Sequence, residues 1–199
     1  MGFSLFWMAV KGKAPEAVRN ELGLRLTGQR LEFPESNIAA AELPGGWYLI
    51  VWDREYPDKY LDDVPGAALK HISTSGGELV TCFVHEGIMI SSAAYWKDGR
   101  KIWSIIHDST KGGEHLATEG DLPEIYAQIR DKALSEQRAT RGVEYVFDVP
   151  LDIAQGITGY SHCQDLPGIE ADKPFEELVA EPSSIEAPKP PLWKKLFGG

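Results

Sequence analysis

Between Leu79 and Asp108 the chain carries strand-type sequence punctuated by two turn signals, with no helical periodicity inside it. No other stretch limits the fold as strongly. Leu79 to His85 is apolar and β-branched, Glu86-Gly87 interrupts it, and Ile88 to Trp96 runs back. Asp98-Gly99 turns again, and Lys101 to Asp108 closes a three-stranded meander. Asp-Gly suits a two-residue hairpin because both central positions of such a turn take positive φ.

Two-residue loops at both turns set a register. Phe83 then faces Ile90, Cys82 faces Ser91 and Tyr95 faces Ile102. One face receives Val80, Cys82, Val84, Met89, Tyr95, Ile102 and Ile106. The other receives Leu79, Phe83, Ile90, Trp96, Trp103 and Ile105. Both faces are largely apolar, so both are expected to be partly covered. Ser91 to Ala94 are all small and leave a trough in the middle strand, which a tightly packed helix fills best.

Around this meander the remaining signals fit one α+β domain with a mainly antiparallel sheet of about six to eight strands. Gly2 to Val10 reads as a first strand and is too short to span a membrane. Pro15 to Leu22 reads as a short helix, Leu24 to Phe33 as a strand, and Asn37 to Leu43 with Trp47 to Trp52 as a hairpin. Pro65 cuts a helical stretch and leaves a segment to His71. A brief extended segment is expected at 114–118. Helices are expected at 123–139 and 150–156 on one face of the sheet, with a short strand at 143–147 between them.

The globular domain is placed at 1–168. Beyond Gly168 the composition shifts: residues 170–187 hold six acidic side chains against Lys173 alone, and Pro182, Pro188, Pro190 and Pro191 follow. This reads as an acidic, proline-rich tail at 169–199. It carries the motif Leu192-Trp193-Lys194-Lys195-Leu196-Phe197, in which Trp193 and Phe197 share one side if the segment is helical. A conjugation tail resting on Gly198-Gly199 is a weaker reading of the same end.

A formal net charge of -10 opposes binding to phosphate backbones and to anionic membranes, so a protein partner of basic character is expected rather than nucleic acid or a lipid surface. Two cysteines, Cys82 and Cys163, far apart and without ligand spacing, suit a reducing, cytoplasmic setting. No cofactor or metal is expected.

Candidate chemistry is sparse. His107-Asp108 reads as a metal pair only until the strand is considered, because neighbours on a strand point to opposite faces. His85 and His107 fall on one face of the expected register, roughly 10 Å apart across an intervening strand, too far for one ion. An enzyme site would have to be assembled from His85, His107, Asp108, Glu114, His115 and Cys163. His162-Cys163 with Asp165 has the residue types of a cysteine nucleophile, but adjacent residues seldom meet as nucleophile and base. The chain contains no nucleophile elbow, phosphate-cradling loop or metalloprotease helix.

Of the six tryptophans, five are expected to build the core. The competing use is recognition, for which Tyr95, Trp96, Asp98, Arg100, Lys101 and Trp103 form the candidate patch, with Trp193 and Phe197 as a second contact. The function expected is therefore a non-catalytic protein-binding module, of the kind that inhibits a partner as immunity and antitoxin proteins do. The alternatives are a hydrolase-type enzyme and an adaptor acting through its tail.

Overall fold

The computed structural model describes residues 2–34, 38–53, 66–74, 76–166, 168–169 and 171–181. The tail motif, with Trp193 and Phe197, lies outside them. The strands are β1 (Ser4–Lys11), β2 (Leu24–Leu31), β3 (Ile38–Leu43), β4 (Trp47–Asp53), β5 (Glu78–His85), β6 (Ile90–Lys97), β7 (Arg100–Asp108), β8 (Ala117–Gly120) and β9 (Phe175–Ala180). The helices are α1 (Pro15–Glu21), α2 (Gly66–Ile72), α3 (Ile125–Ala139) and α4 (Val149–Thr158). No described helix is long and apolar enough to cross a membrane.

All nine strands of the described residues form one antiparallel sheet in the order β2-β9-β3-β4-β1-β5-β6-β7-β8. The chain is α+β, with a sheet slightly wider than the six to eight strands expected. β1 sits at its centre between β4 and β5, and its alternation sends Leu5, Trp7 and Ala9 to one face and Met8 and Val10 to the other. The first face packs on Val146, Phe147, Ile153 and Ala154 beneath α3 and α4. The second packs on Val18 of α1 and Ile72 of α2. Helices thus lie on both faces of the sheet.

Two sequence expectations fail at the C-terminal half, for physical reasons. Residues 143–147 alternate like a strand, yet Tyr145–Asp148 is a 3-10 turn. It lies over the inner face, where no strand edge is open to it, so its backbone is satisfied otherwise. The Val146 N–H donates to Gln137 Oε1 at 2.9 Å, and the Phe147 carbonyl accepts from Ser91 Oγ at 2.6 Å. The second failure is the domain boundary at 168, because β9 at 175–180 is an integral strand between β2 and β3. Its acids conceal two core residues on opposite faces: Phe175 joins the first cluster and Leu178 the second. Glu177 accepts from Thr27 Oγ1 at 2.7 Å, and Glu176 lies 3.4 Å from Arg30.

The meander is present with a different register. Glu86–Ile88 form a 3-10 turn and Met89 is left-handed, so a four-residue loop closes on His85↔Ile90, and Phe83 meets Ser92 rather than Ile90. A slip of two residues keeps every side chain on its face. The second hairpin behaves otherwise. Asp98 and Gly99 take φ values of 51° and 70°, and Lys97↔Arg100 and Trp96↔Lys101 pair as expected. A bulge then inserts Ile102, so Tyr95 pairs with Trp103. One extra residue inverts the rest of β7. Trp103, Ile105 and His107 turn to the first face with Tyr95 and Ala93, while Ile106 turns outward and is 42% exposed. Ser91 and Ala93 are filled from above by α4, so a packed helix occupies the trough on that face.

Candidate functional site

The bulge dismantles the aromatic patch expected at the second hairpin. Trp103 is buried and stacks on Tyr95 with centroids 6.1 Å apart. Burial, reinforced by a hydrogen bond to Glu78, pushes the Tyr95 hydroxyl up to about 12. Trp96 belongs to the opposite face, half-buried against the second core cluster. Asp98, Arg100 and Lys101 remain exposed at the tip, with Lys101 paired to Glu119. Trp7, Trp47, Trp52 and Trp103 are buried and Trp96 half-buried, so these five tryptophans serve the core.

Of the histidines of the enzyme alternative, His107 and His115 adjoin while His85 stands apart. The register inversion sends His107 to the inner face, away from His85 on the outer one. His107 is fully buried and donates from Nδ1 to the His115 carbonyl at 2.9 Å, which leaves Nε2 facing Glu144 Oε2 at 3.5 Å. His115 Nδ1 accepts from the Asp108 N–H at 3.1 Å. Both rings therefore tie the turn after β7 to its strand. Asp108 accepts from the Thr110 N–H and hydroxyl, which hold its carboxyl below the usual range. Glu114 is gripped by the Arg138 guanidinium at 2.8 and 2.7 Å, which lowers its carboxyl likewise and fastens this loop to α3. Among the described residues no group of three or more His, Cys, Asp or Glu side chains is arranged to hold a metal ion.

Two adjoining hollows open instead where the chain leaves α4. Both are lined by Tyr160, His162 and Gln164. The larger, of about 310 Å³, lies between Phe33, Leu166 and Phe175 and is rimmed by Glu32, Asp165 and Asp172. The smaller, of about 240 Å³, has Trp7, Phe147 and Leu151 in its wall and Glu86, Asp148 and Asp152 at its rim. The folding reasons are local. Gly159, with φ 81°, ends α4 in the left-handed conformation and reverses the chain. Tyr160 then anchors edge-on against Trp7 with centroids 5.2 Å apart. His162 is pinned edge-on by Phe3, and its side chain is only 4% exposed.

Negative charge dominates both hollows. Burial raises the Asp148 carboxyl to about 6, and the neighbouring Asp152 and Glu86 add to the rise while His107 opposes it. Asp152 is raised for the same first reason, countered by Lys132 of α3 and reinforced by Glu136. No described residue forms a hydrogen bond or ion pair with either aspartate side chain. Glu86 receives the Phe3 N–H at 2.9 Å and lies 3.7 Å from His162 Nε2. Burial lowers the His162 imidazole, against the pull of Glu86. The Cys163 sulfur lies 3.7 Å from Nε2 and 4.0 Å from Nδ1 of the same ring, beside it rather than at the end of one nitrogen, a poor geometry for activating the thiol. Asp165 borders the larger hollow and Cys163 the smaller, so the three residues His162, Cys163 and Asp165 do not converge on one hollow.

Sequence reasoning singled out His162 and Cys163 and missed the carboxylates around them. The available signal was Asp148 and Asp152, four apart at the start of a helix and hence on one side of it. Glu86, from the β5–β6 loop, had no such signal. Comparison of the chain with family models, with curated proteins and with solved structures found no match.

Proposed function

We propose that this protein is a non-catalytic binding module that captures a basic partner protein, in the manner of an inhibitor such as an immunity or antitoxin protein. The observation that carries the reading is the pair of carboxylate-rimmed hollows, in a chain whose net charge is -10. Charge of one sign gathered at a concavity steers and selects a partner of the opposite sign. The absence of any histidine, thiol or acid in a nucleophile–base geometry among the described residues favours binding over catalysis.

Affinity capture from the native cell, with wild-type chain and the Asp148→Asn/Asp152→Asn variant, tests this. The expected partner is one identified protein with a positively charged face, held less tightly as salt rises and less tightly by the variant. Capture of an acidic protein, or equal capture by both chains, would refute the reading.

A further inference from the structure

Two polar atoms are enclosed where β7 meets the connection between α3 and α4. His107, fully buried on the inner face of β7, directs Nε2 at Oε2 of Glu144 across 3.5 Å, and among the described residues neither atom touches solvent or makes a hydrogen bond. The other ring nitrogen settles where the hydrogen lies. Nδ1 is 2.9 Å from the His115 carbonyl, which can only accept, so Nδ1 is the donor and Nε2 of a neutral ring is a bare lone pair. Opposite it stands a carboxylate oxygen, which also offers only lone pairs. Two acceptors enclosed face to face repel, and one proton between them turns the repulsion into a charge-assisted contact.

We propose that His107 and Glu144 hold one proton between them, and that this shared proton is a pH-sensitive latch fastening the 140–148 connection to β7. The connection closes the inner face of the sheet. Val146 and Phe147 enter the core from it, Phe147 stands edge-on to the His107 ring with centroids 6.0 Å apart, and Ser91 Oγ donates to the Phe147 carbonyl. While the proton is bound, Glu144 is tied to β7. As pH rises and it leaves, a carboxylate faces a lone pair with no solvent to screen them, and the connection moves off. The stabilisation is therefore present on the acid side of the proton's release and lost on the alkaline side. Its titration belongs to the pair and not to either residue alone.

The other ionisable groups around the ring are accounted for element by element. Asp148, at the start of α4, feels the charge of His107, and its own carboxyl, raised by burial to about 6, titrates in the same connection. His115 Nδ1 accepts the Asp108 N–H at 3.1 Å, so a proton added there breaks that bond and loosens the turn in acid, an effect of opposite sign. Asp108 is engaged by Thr110 and Lys111, and Glu114 by Arg138 of α3. Gln137, also on α3, joins the Gly113 carbonyl to the Val146 N–H and carries no charge.

The test reads the ring and the connection together in the full chain. Proton–nitrogen correlation NMR follows Nε2 of His107 while hydrogen exchange is measured at the Val146 and Phe147 N–H groups, from about pH 5 to about pH 8.5, the range in which histidine charge commonly changes. Both measurements are repeated in Asp148→Asn, which removes the neighbouring carboxyl. Nε2 is expected to pass from protonated to bare, and over the same step the protection factors, corrected for the intrinsic pH dependence of exchange, should fall by at least about tenfold. Glu144→Gln, whose amide donates to a bare Nε2, should keep the high protection throughout. Glu144→Ala should also lack the step but hold the low value at every pH, and it serves as a second route if the glutamine does not fit.

A glutamine variant that reproduces the wild-type step would overturn the latch. So would protection that stays flat while Nε2 loses its proton, or an Nε2 that keeps one protonation state across the whole range. A step that vanishes in Asp148→Asn would assign it to the aspartate and overturn the latch equally.

Discussion

Replacing Asp148 with Asn should stabilise the protein at neutral pH and leave it unchanged in acid. The carboxyl titrates at about 6 in the fold against 3.8 in an open chain. At about 1.36 kcal/mol per pH unit, that difference sets a ceiling of about 3 kcal/mol on the penalty of ionising it in place. Asp148 presents an exposed surface to water, so screening reduces the figure to about 1 kcal/mol. A carboxylate at the start of α4 also gains roughly 0.5 kcal/mol from the helix dipole, a gain that Asn forfeits. Burial and the charges of Asp152 and Glu86 act against that gain.

The sign follows from proton binding. Below pH 3.8 both states hold the proton and the group contributes no penalty. Between 3.8 and about 6 the folded state retains a proton that the unfolded state has lost, so stability falls as pH rises. Above this window both are ionised and the full penalty stands. Urea titrations at pH 3.5 and pH 7.5 should give equal midpoints for variant and wild type in acid, and a higher midpoint for the variant at pH 7.5, with unchanged slopes. A variant that is less stable at pH 7.5, or more stable by the same amount at both values, would refute the account of the hollow's electrostatics.

Three further outcomes are expected. Gly99→Val should lower the melting temperature by an amount corresponding to about 1–3 kcal/mol, since position 99 has φ 70° and a Cβ there would meet Thr74 Cγ2 at 3.0 Å; an unchanged melting curve would count against the turn. Ser91→Ala should cost about 1–2 kcal/mol by orphaning the Phe147 carbonyl, measured by the same urea titration, and no loss would show that the 2.6 Å bond adds nothing net. Native chain treated with a thiol reagent should be modified at Cys163 alone, because Cys82 is buried and burial pushes its thiol far up; mass mapping that finds Cys82 labelled without unfolding would contradict the packing of β5.

Much of the fold was legible because its signals are local. Asp98-Gly99, Pro15, Pro123 and the continuous apolar runs of β1, β4 and β5 each act within a few residues. The features that were not legible depend on distant parts of the chain. The bulge at Ile102 leaves no mark in the sequence, since Ile102, Trp103, Ile105 and Ile106 are apolar on either register, and only the inner core selects Trp103. β9 reads as an acidic tail because its two buried residues are three apart and serve opposite faces, which breaks the period-two pattern. The candidate site draws on Glu86, on Asp148 and Asp152, and on His162, three segments that come together only once α4 is laid across the sheet. The shared face expected for Trp96 and Trp103 was lost for the same reason as the register: one inserted residue put the rings on opposite sides.

The position of β9 bears on how the chain assembles. β2 and β3 are close in sequence but are not neighbours in the sheet, and the slot between them is filled by residues made more than a hundred positions later. At about 5–20 residues per second on the ribosome, that slot stands open for on the order of ten seconds, with the backbone groups of two strands facing it. During that interval a strand from any other chain could enter as a substitute, so nascent molecules are most vulnerable to cross-pairing between strands β2 and β3. The last strand is therefore the keystone of assembly: its arrival closes a contact of very long sequence separation, which marks it as a slow late step in folding.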